Sequence, residues 1–97
     1  MSRAKRYIAA VKRLPCEICI RKHGMDSDPW PEPNASDAHH PRTGAGAARR
    51  SSDFEVIALC KEHHQGRTGI HGLGRKAFEV EYGVTELELS ESTARRV

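Results

Sequence analysis

Phe54-Glu55-Val56-Ile57-Ala58-Leu59-Cys60-Lys61-Glu62-His63-His64 runs from an apolar, β-branched segment straight into a cluster of metal-ligand residue types. The apolar part predicts a strand over Phe54 to Leu59. The remainder predicts a helix that starts near Cys60, carries His63 and His64, and is ended or interrupted by Gly66 and Gly69. Upstream, Asp37-Ala38-His39-His40 holds two more adjacent histidines, and His71 follows beyond a short glycine loop. Packing has no use for histidines doubled in this way, whereas a metal site does.

The ligand types separate into two sets. Cys16-x-x-Cys19 and Cys60-x-x-His63 are pairs of matching spacing. Three thiolates and one imidazole suit a closed tetrahedral zinc site, because zinc takes soft sulfur ligands and needs no open position. A lone Cys-x-x-Cys would also suit a redox motif; the second pair turns the reading towards structural zinc. That leaves His39, His40, His64 and His71 for a second, catalytic site.

Around these ligands, Ala4 to Arg13 predicts a short basic helix with Tyr7, Ile8 and Val11 on one face. Leu14-Pro15-Cys16-Glu17-Ile18-Cys19 reads as a turn. Gly24 to Ser36 is a polar loop in which Pro29, Pro31 and Pro33 surround Trp30, a residue expected to pack over the core rather than touch a ligand. A short strand is expected over Ala38-His39-His40, stopped by Pro41. Thr43 to Ala48 is a glycine-alanine connection. A helix is expected over about Arg75 to Tyr82, with Ala77, Phe78 and Tyr82 inward and Gly83 as its C-cap. Val84 to Val97 reads equally as a strand or a short helix. No segment repeats.

The 97 residues suffice for one domain, and its aromatics are only Tyr7, Trp30, Phe54, Phe78 and Tyr82. A core this thin calls for a staple, and three cysteines do not make a paired disulfide framework. No apolar run reaches the length of a membrane span, and Met1 to Arg6 does not lead into a signal-peptide apolar stretch, so the expected compartment is the cytoplasm, where thiols stay reduced. The formal net charge is +3 and the pI about 9.0. Arg3, Lys5, Arg6, Lys12 and Arg13 precede any acidic residue, while Glu79, Glu81, Glu86, Glu88 and Glu91 collect late. That distribution fits a polyanionic partner and equally a solvated basic surface.

The order of cysteine knuckle, His-His on a strand, glycine-rich connection, apolar strand and Cys-x-x-His-His opening a helix resembles the HNH, or ββα-metal (His-Me finger), nuclease superfamily. Ala38-His39-His40, Asp53 to His64 and the later Ala77-Phe78-Glu79…Tyr82-Gly83 look most like the phage recombination-enhancement (Ref-type) nucleases and their short prophage relatives. The resemblance covers about residues 14–83. It implies an α+β fold with a structural zinc knuckle and flanking helices, forming a single domain over 1–97 with its core at about 14–83, a basic N-terminal helix at 4–13 and a tail at 84–97. It implies DNA phosphodiester hydrolysis in a bacterial host cell, with His40 as general base and His39, His64 and His71 as ligands of one catalytic divalent metal: magnesium, manganese, nickel or zinc. The relatives place the last ligand about one helical turn after His64. Here the gap is longer, so either the helix breaks early and a loop returns His71, or His71 is not a ligand. The middle asparagine of the HNH pattern has no clear match; Asp53 stands nearest, where a carboxylate would accept a proton from the His40 ring and set its tautomer. The Ref-type branch also implies a partner, RecA-coated single-stranded DNA, although this chain has only a short basic segment where larger members carry a long one.

Adjacent strand residues point to opposite sides, so His39 and His40 can divide the work between metal and scissile phosphate. Arg42, Arg49, Arg50 and Arg67 are candidates for phosphate contacts, and His23 is expected to be exposed. Three readings stay open on the residues: a metal-dependent nuclease, a non-catalytic zinc-stapled nucleic-acid-binding module, and a structural zinc protein that binds another protein.

Overall fold

The structure, a computed structural model, describes residues 2–24, 36–41 and 52–97. Trp30, the proline loop, the glycine-alanine connection and Arg42, Arg49 and Arg50 lie outside the described residues. The rest is an α+β arrangement of six helices around a two-stranded sheet. Among the described residues no helix is long and apolar enough to cross a membrane.

Helix α1 (Arg3–Lys12) starts at Ser2, whose hydroxyl accepts the Lys5 amide at 3.1 Å. Its apolar stripe meets the sheet: Val11 is fully buried with Val56 and Ala58, and Tyr7, Ile8 and Leu14 pack around them. The chain then turns at Arg13 to Cys16 and enters α2 (Glu17–His23). The turn expected over Leu14 to Cys19 is therefore shorter than its sequence suggests, and Cys19 sits on a helix. Pro15 does not prevent this, because a proline before the first turn removes an amide that no helical carbonyl would have used.

Strand β1 (Asp37–His39) pairs antiparallel with β2 (Ile57–Leu59), Asp37 opposite Leu59 and His39 opposite Ile57. Both strands differ from expectation. β1 is shifted one residue towards the N-terminus, leaving His40 beyond its end, just before Pro41. Phe54 and Glu55 are not in β2 but in a single 3-10 turn (Asp53–Glu55), fixed by a capping box in which Ser52 and Glu55 serve each other's end of the turn. The alternation of β2 is bifacial. Val56 and Ala58 face α1, while Ile57 and Leu59 join Cys16, Ile18, Ile70, Phe78, Val84 and Leu89 in the main core.

Helices α3 (Lys61–Gln65) and α4 (Ile70–Leu73) are short and follow β2, and α5 (Arg75–Tyr82) follows them. Gly83 caps α5 in the left-handed conformation, at φ 65°. Phe78 faces the core and Tyr82 lies partly against it, but Ala77 is exposed, one residue round the helix from Phe78.

The tail is helix α6 (Glu86–Arg96), and it belongs to the core rather than lying outside residues 14–83. Thr85 and Glu88 form its capping box, with the Glu88 amide donating to Thr85 Oγ1 at 3.1 Å and the Thr85 amide to Glu88 Oε1 at 3.0 Å. These bonds also hold the Glu88 carboxyl below the usual range, the Thr85 amide contributing most. α6 covers the outer edge of β2. The Ala58 amide donates to Thr93 Oγ1 at 3.4 Å, and Ser90 Oγ donates to the Glu55 carbonyl at 2.8 Å. Its C-terminal end is tied to α2 through the fully buried Glu17, which accepts from Ser92 Oγ at 2.8 Å, Arg21 Nη1 at 2.9 Å and Arg96 Nε at 2.9 Å. Leu89 is the apolar anchor of α6, fully buried beside Ile57 and Phe78. Leu89→Ala is expected to cost about 2–5 kcal/mol, read as a lower urea midpoint with little change in slope. An unchanged midpoint would mean that α6 contributes nothing to the core.

Candidate metal centres

Both knuckles have one local plan. Cys16 and Cys60 are the N-cap residues of α2 and α3, and each second ligand, Cys19 or His63, stands three residues later on the first helical turn. Residues at i and i+3 share a helix face, so each pair converges on one point, and the positive helix start favours thiolate. β2 delivers Cys60 directly to Cys16, because Leu59 and Ile57 pack beside Ile18.

The four ligand atoms all lie within 4.8 Å of one another. His63 Nδ1 is 3.5 Å from Cys16 Sγ, 3.6 Å from Cys19 Sγ and 3.2 Å from Cys60 Sγ, and Cys19 Sγ is 3.9 Å from Cys60 Sγ. Zinc–ligand bonds of about 2.3 Å to sulfur and about 2.0 Å to nitrogen give a tetrahedron with S···N edges of about 3.5 Å and S···S edges of about 3.8 Å. The set could therefore hold a metal such as zinc. The hydrogen bond from Cys16 is the main cause holding the Cys60 thiol down to about 4, against its burial, with help from the His63 backbone amide. The same Cys60 contact, then burial, pushes Cys16 up, and burial pushes Cys19 up. Three thiols crowded this closely compete for one negative charge. A dication bound there would resolve the competition by favouring thiolate at all three.

His63 and His64 are neighbours on α3 and so point about 100° apart. His63 turns to the thiols, and His64 turns to the other side, where β1 brings His39 and α4 brings His71. These three rings have centroids 4.8–5.2 Å apart and ligand atoms within 4.8 Å. His71 returns because α3 stops at Gly66 and folds back at once. A Cβ on Gly69 would meet the Glu62 carbonyl and lie 2.7 Å from the His63 carbonyl carbon, and one on Gly72 would meet the Gly66 carbonyl. Only glycine admits an approach this close. Thr68 pins the turn, its Oγ1 donating to Glu62 Oε2 at 2.6 Å, and this bond holds the Glu62 carboxyl below the usual range.

His39 and His64 are each braced by a carboxylate. His39 Nε2 donates to Glu86 Oε2 at 2.9 Å, with His39 buried and Glu86 fully so. His64 Nδ1 donates to Asp37 Oδ2 at 2.9 Å. Burial pushes the Asp37 carboxyl up, but hydrogen bonds from His64 and Lys61 outweigh it and hold the group below its ordinary range. Each bond fixes a tautomer, leaving His39 Nδ1 and His64 Nε2 as lone-pair nitrogens. His71 is exposed, so the set opens to solvent on that side.

His40 stands next to this group, just past β1. Its Nε2 donates to Asp53 Oδ1 at 2.8 Å, across from the first residue of the 3-10 turn. The structure thus brings Asp53 to His40, gathers His39, His64 and His71, and gathers Cys16, Cys19, Cys60 and His63. Arg67 is exposed on the turn between α3 and α4, and His23 is exposed at the end of α2. Sequence reasoning assigned no role to Asp37 or Glu86. Asp37 had a signal, since it lies two residues before His39 on the same strand face. Glu86 had none beyond the Thr85–Glu88 capping box, because it reaches His39 only once α6 has packed on β2. No family model, curated protein or solved structure matches this chain.

Proposed function

We propose that the protein is a metal-dependent DNA endonuclease of the HNH, ββα-metal type, acting in the bacterial cytoplasm and of phage or prophage origin. The observation that carries this reading is the pair of braced histidines, His39 on Glu86 and His64 on Asp37, meeting His71 beside a His40–Asp53 couple. The order β1, β2, α3, with candidate ligands on the first strand and the helix, supports the ββα assignment. A merely structural zinc protein needs the thiolate knuckle but has no use for a second set of three histidines opening to solvent.

In this reading His39, His64 and His71 hold a divalent ion. Their imidazoles suit zinc, nickel, cobalt or manganese, and magnesium less readily. When bound, the ion supplies charge stabilisation for the phosphoryl and leaving oxygens. His40 takes the proton of the attacking water on Nδ1. The lone pair is there because Asp53 accepts the Nε2 proton and sets the tautomer. As the imidazolium forms, the Asp53 carboxylate stabilises it. Arg67, exposed on the turn between α3 and α4, would contact a backbone phosphate.

The test is cleavage of supercoiled plasmid by the zinc-loaded protein across magnesium, manganese and nickel, with a chelator arm and His40→Ala beside wild type. Tight DNA binding without cutting in any metal would replace the nuclease with a binding module. A second expected result concerns the bracing. Glu86→Gln should weaken the divalent ion at the three-histidine set about 10- to 100-fold, because a neutral amide neither raises imidazole basicity nor enforces the tautomer. Titration with cobalt, followed by its visible absorption, reads this directly. Equal affinity would show that Glu86 only fills space.

A further inference from the structure

The basic helix α1 takes no part in either metal centre, yet it carries an ordered arrangement of its own. Arg3, Arg6, Tyr7 and Ala10 stand at i, i+3, i+4 and i+7 and so form one stripe along the helix. With Phe54 and Val97 they line an open groove of about 410 Å³. The Tyr7 and Phe54 rings are tilted against each other at 57°, with centroids 5.3 Å apart. Phe54 is 48 % exposed, one of five large apolar side chains left in solvent among the described residues. α1 contains no acidic residue, so Arg3 and Arg6 set its charge without opposition from their own helix.

A groove that joins an exposed aromatic face to two guanidinium groups has the two features that bind an unpaired nucleotide strand. The ring offers a stacking platform to a base, and the arginines take the flanking phosphates. Bases in a duplex are already stacked and cannot reach the platform. The location adds to the argument. Phe54 follows Asp53 in a single 3-10 turn, where successive side chains diverge by about 120°. Asp53 turns to His40, and Phe54 turns to α1. The groove therefore begins one residue from the partner of the candidate base.

We propose that the Arg3–Arg6–Tyr7–Phe54 groove binds single-stranded nucleic acid, stacking a base on Phe54 and holding adjacent phosphates with Arg3 and Arg6. This inference rests on the nuclease reading and names the strand form that its site receives. It makes unpaired DNA next to the cut, rather than intact duplex alone, the preferred substrate.

The experiment measures fluorescence anisotropy of a labelled single-stranded oligonucleotide and of its duplex, using zinc-loaded protein without added catalytic metal. Wild type is expected to bind the single strand more tightly. Phe54→Ala should weaken that binding roughly 5- to 150-fold, and Phe54→Trp should restore it. Arg3→Ala with Arg6→Ala should lower the salt slope by about 1.4, at about 0.7 for each phosphate no longer neutralised. Thermal unfolding of each variant separates a weakened groove from a damaged fold; a variant that melts early is replaced by Phe54→Leu, which keeps bulk but removes the aromatic face. Single-strand affinity and salt slope unchanged in all folded variants would overturn the groove, while plasmid cleavage would still stand or fall on His40. No binding of either strand form by wild type would overturn the groove, and the nuclease reading would still be decided by plasmid cleavage.

Discussion

Cys60→Ser is expected to unfold most of the domain, and removal of zinc by a strong chelator is expected to do the same to wild type. Structural zinc sites of this ligand type contribute roughly 10–16 kcal/mol of apparent folding free energy, against a net stability of about 5–15 kcal/mol for an ordinary domain. This core cannot make up the difference. Its main cluster is Cys16, Ile18, Ile57, Leu59, Ile70, Phe78, Val84 and Leu89, so one of the four candidate ligands is itself a core residue. Cys60 is also the joint between β2 and α3. Losing it frees α3, and with α3 both His63 and His64, so the second centre falls with the first. The measurement is zinc content by native mass spectrometry together with thermal unfolding followed by circular dichroism. A variant that lacks zinc and still melts cooperatively at the wild-type temperature would show that the knuckle is not a staple.

The second large effect is confined to chemistry. His40→Ala should lower plasmid cleavage by about 10²- to 10⁴-fold, the usual contribution of a positioned general base, equivalent to about 3–5 kcal/mol in the barrier. Fold and zinc content should not change. His40 is partly exposed, lies beyond the last ladder pair of β1, and belongs to neither core cluster. A local function and a local cost go together here. If the variant cut at the wild-type rate, His40 would not be the base, and the His40–Asp53 pair would be an ordinary surface contact.

These two outcomes separate the two centres that one stretch of chain brings together. His63 and His64 differ by one position on α3, and that single step sends one ring to the thiols and the other to His39 and His71. The helix must therefore be fixed in rotation for either set to form. A metal held by Cys16, Cys19, Cys60 and His63 would fix it from one side. Asp37 and Glu86, holding His64 and His39, fix the second set from the other.

The parts readable from the sequence are those set by short-range rules. The matched Cys-x-x-Cys and Cys-x-x-His spacings follow from the geometry of a first helical turn, and Gly83 marks the end of α5 because only a residue at ease at φ 65° can stop there. Capping chemistry is equally local and less conspicuous. Ser52 with Glu55 converts the start of an apparent strand into a 3-10 turn, and that conversion sets Asp53 towards His40. Thr85 with Glu88 makes the undecided tail a helix.

What the amino-acid order determined by itself was the inventory: two matched pairs of cysteine and histidine ligand types, a surplus of histidines, a basic first helix and the positions of α3 and α5. Only the tertiary structure decided how that inventory is deployed. The return of His71 depends on α3 and α4 approaching so closely that Gly69 and Gly72 have no room for a Cβ. The role of Glu86 depends on α6 covering the edge of β2, across a sequence separation that no periodic pattern spans. Local rules act over a helical turn or a strand pair. The bracing of a ligand by a carboxylate 47 positions away is settled by packing, since it exists only after the core has closed.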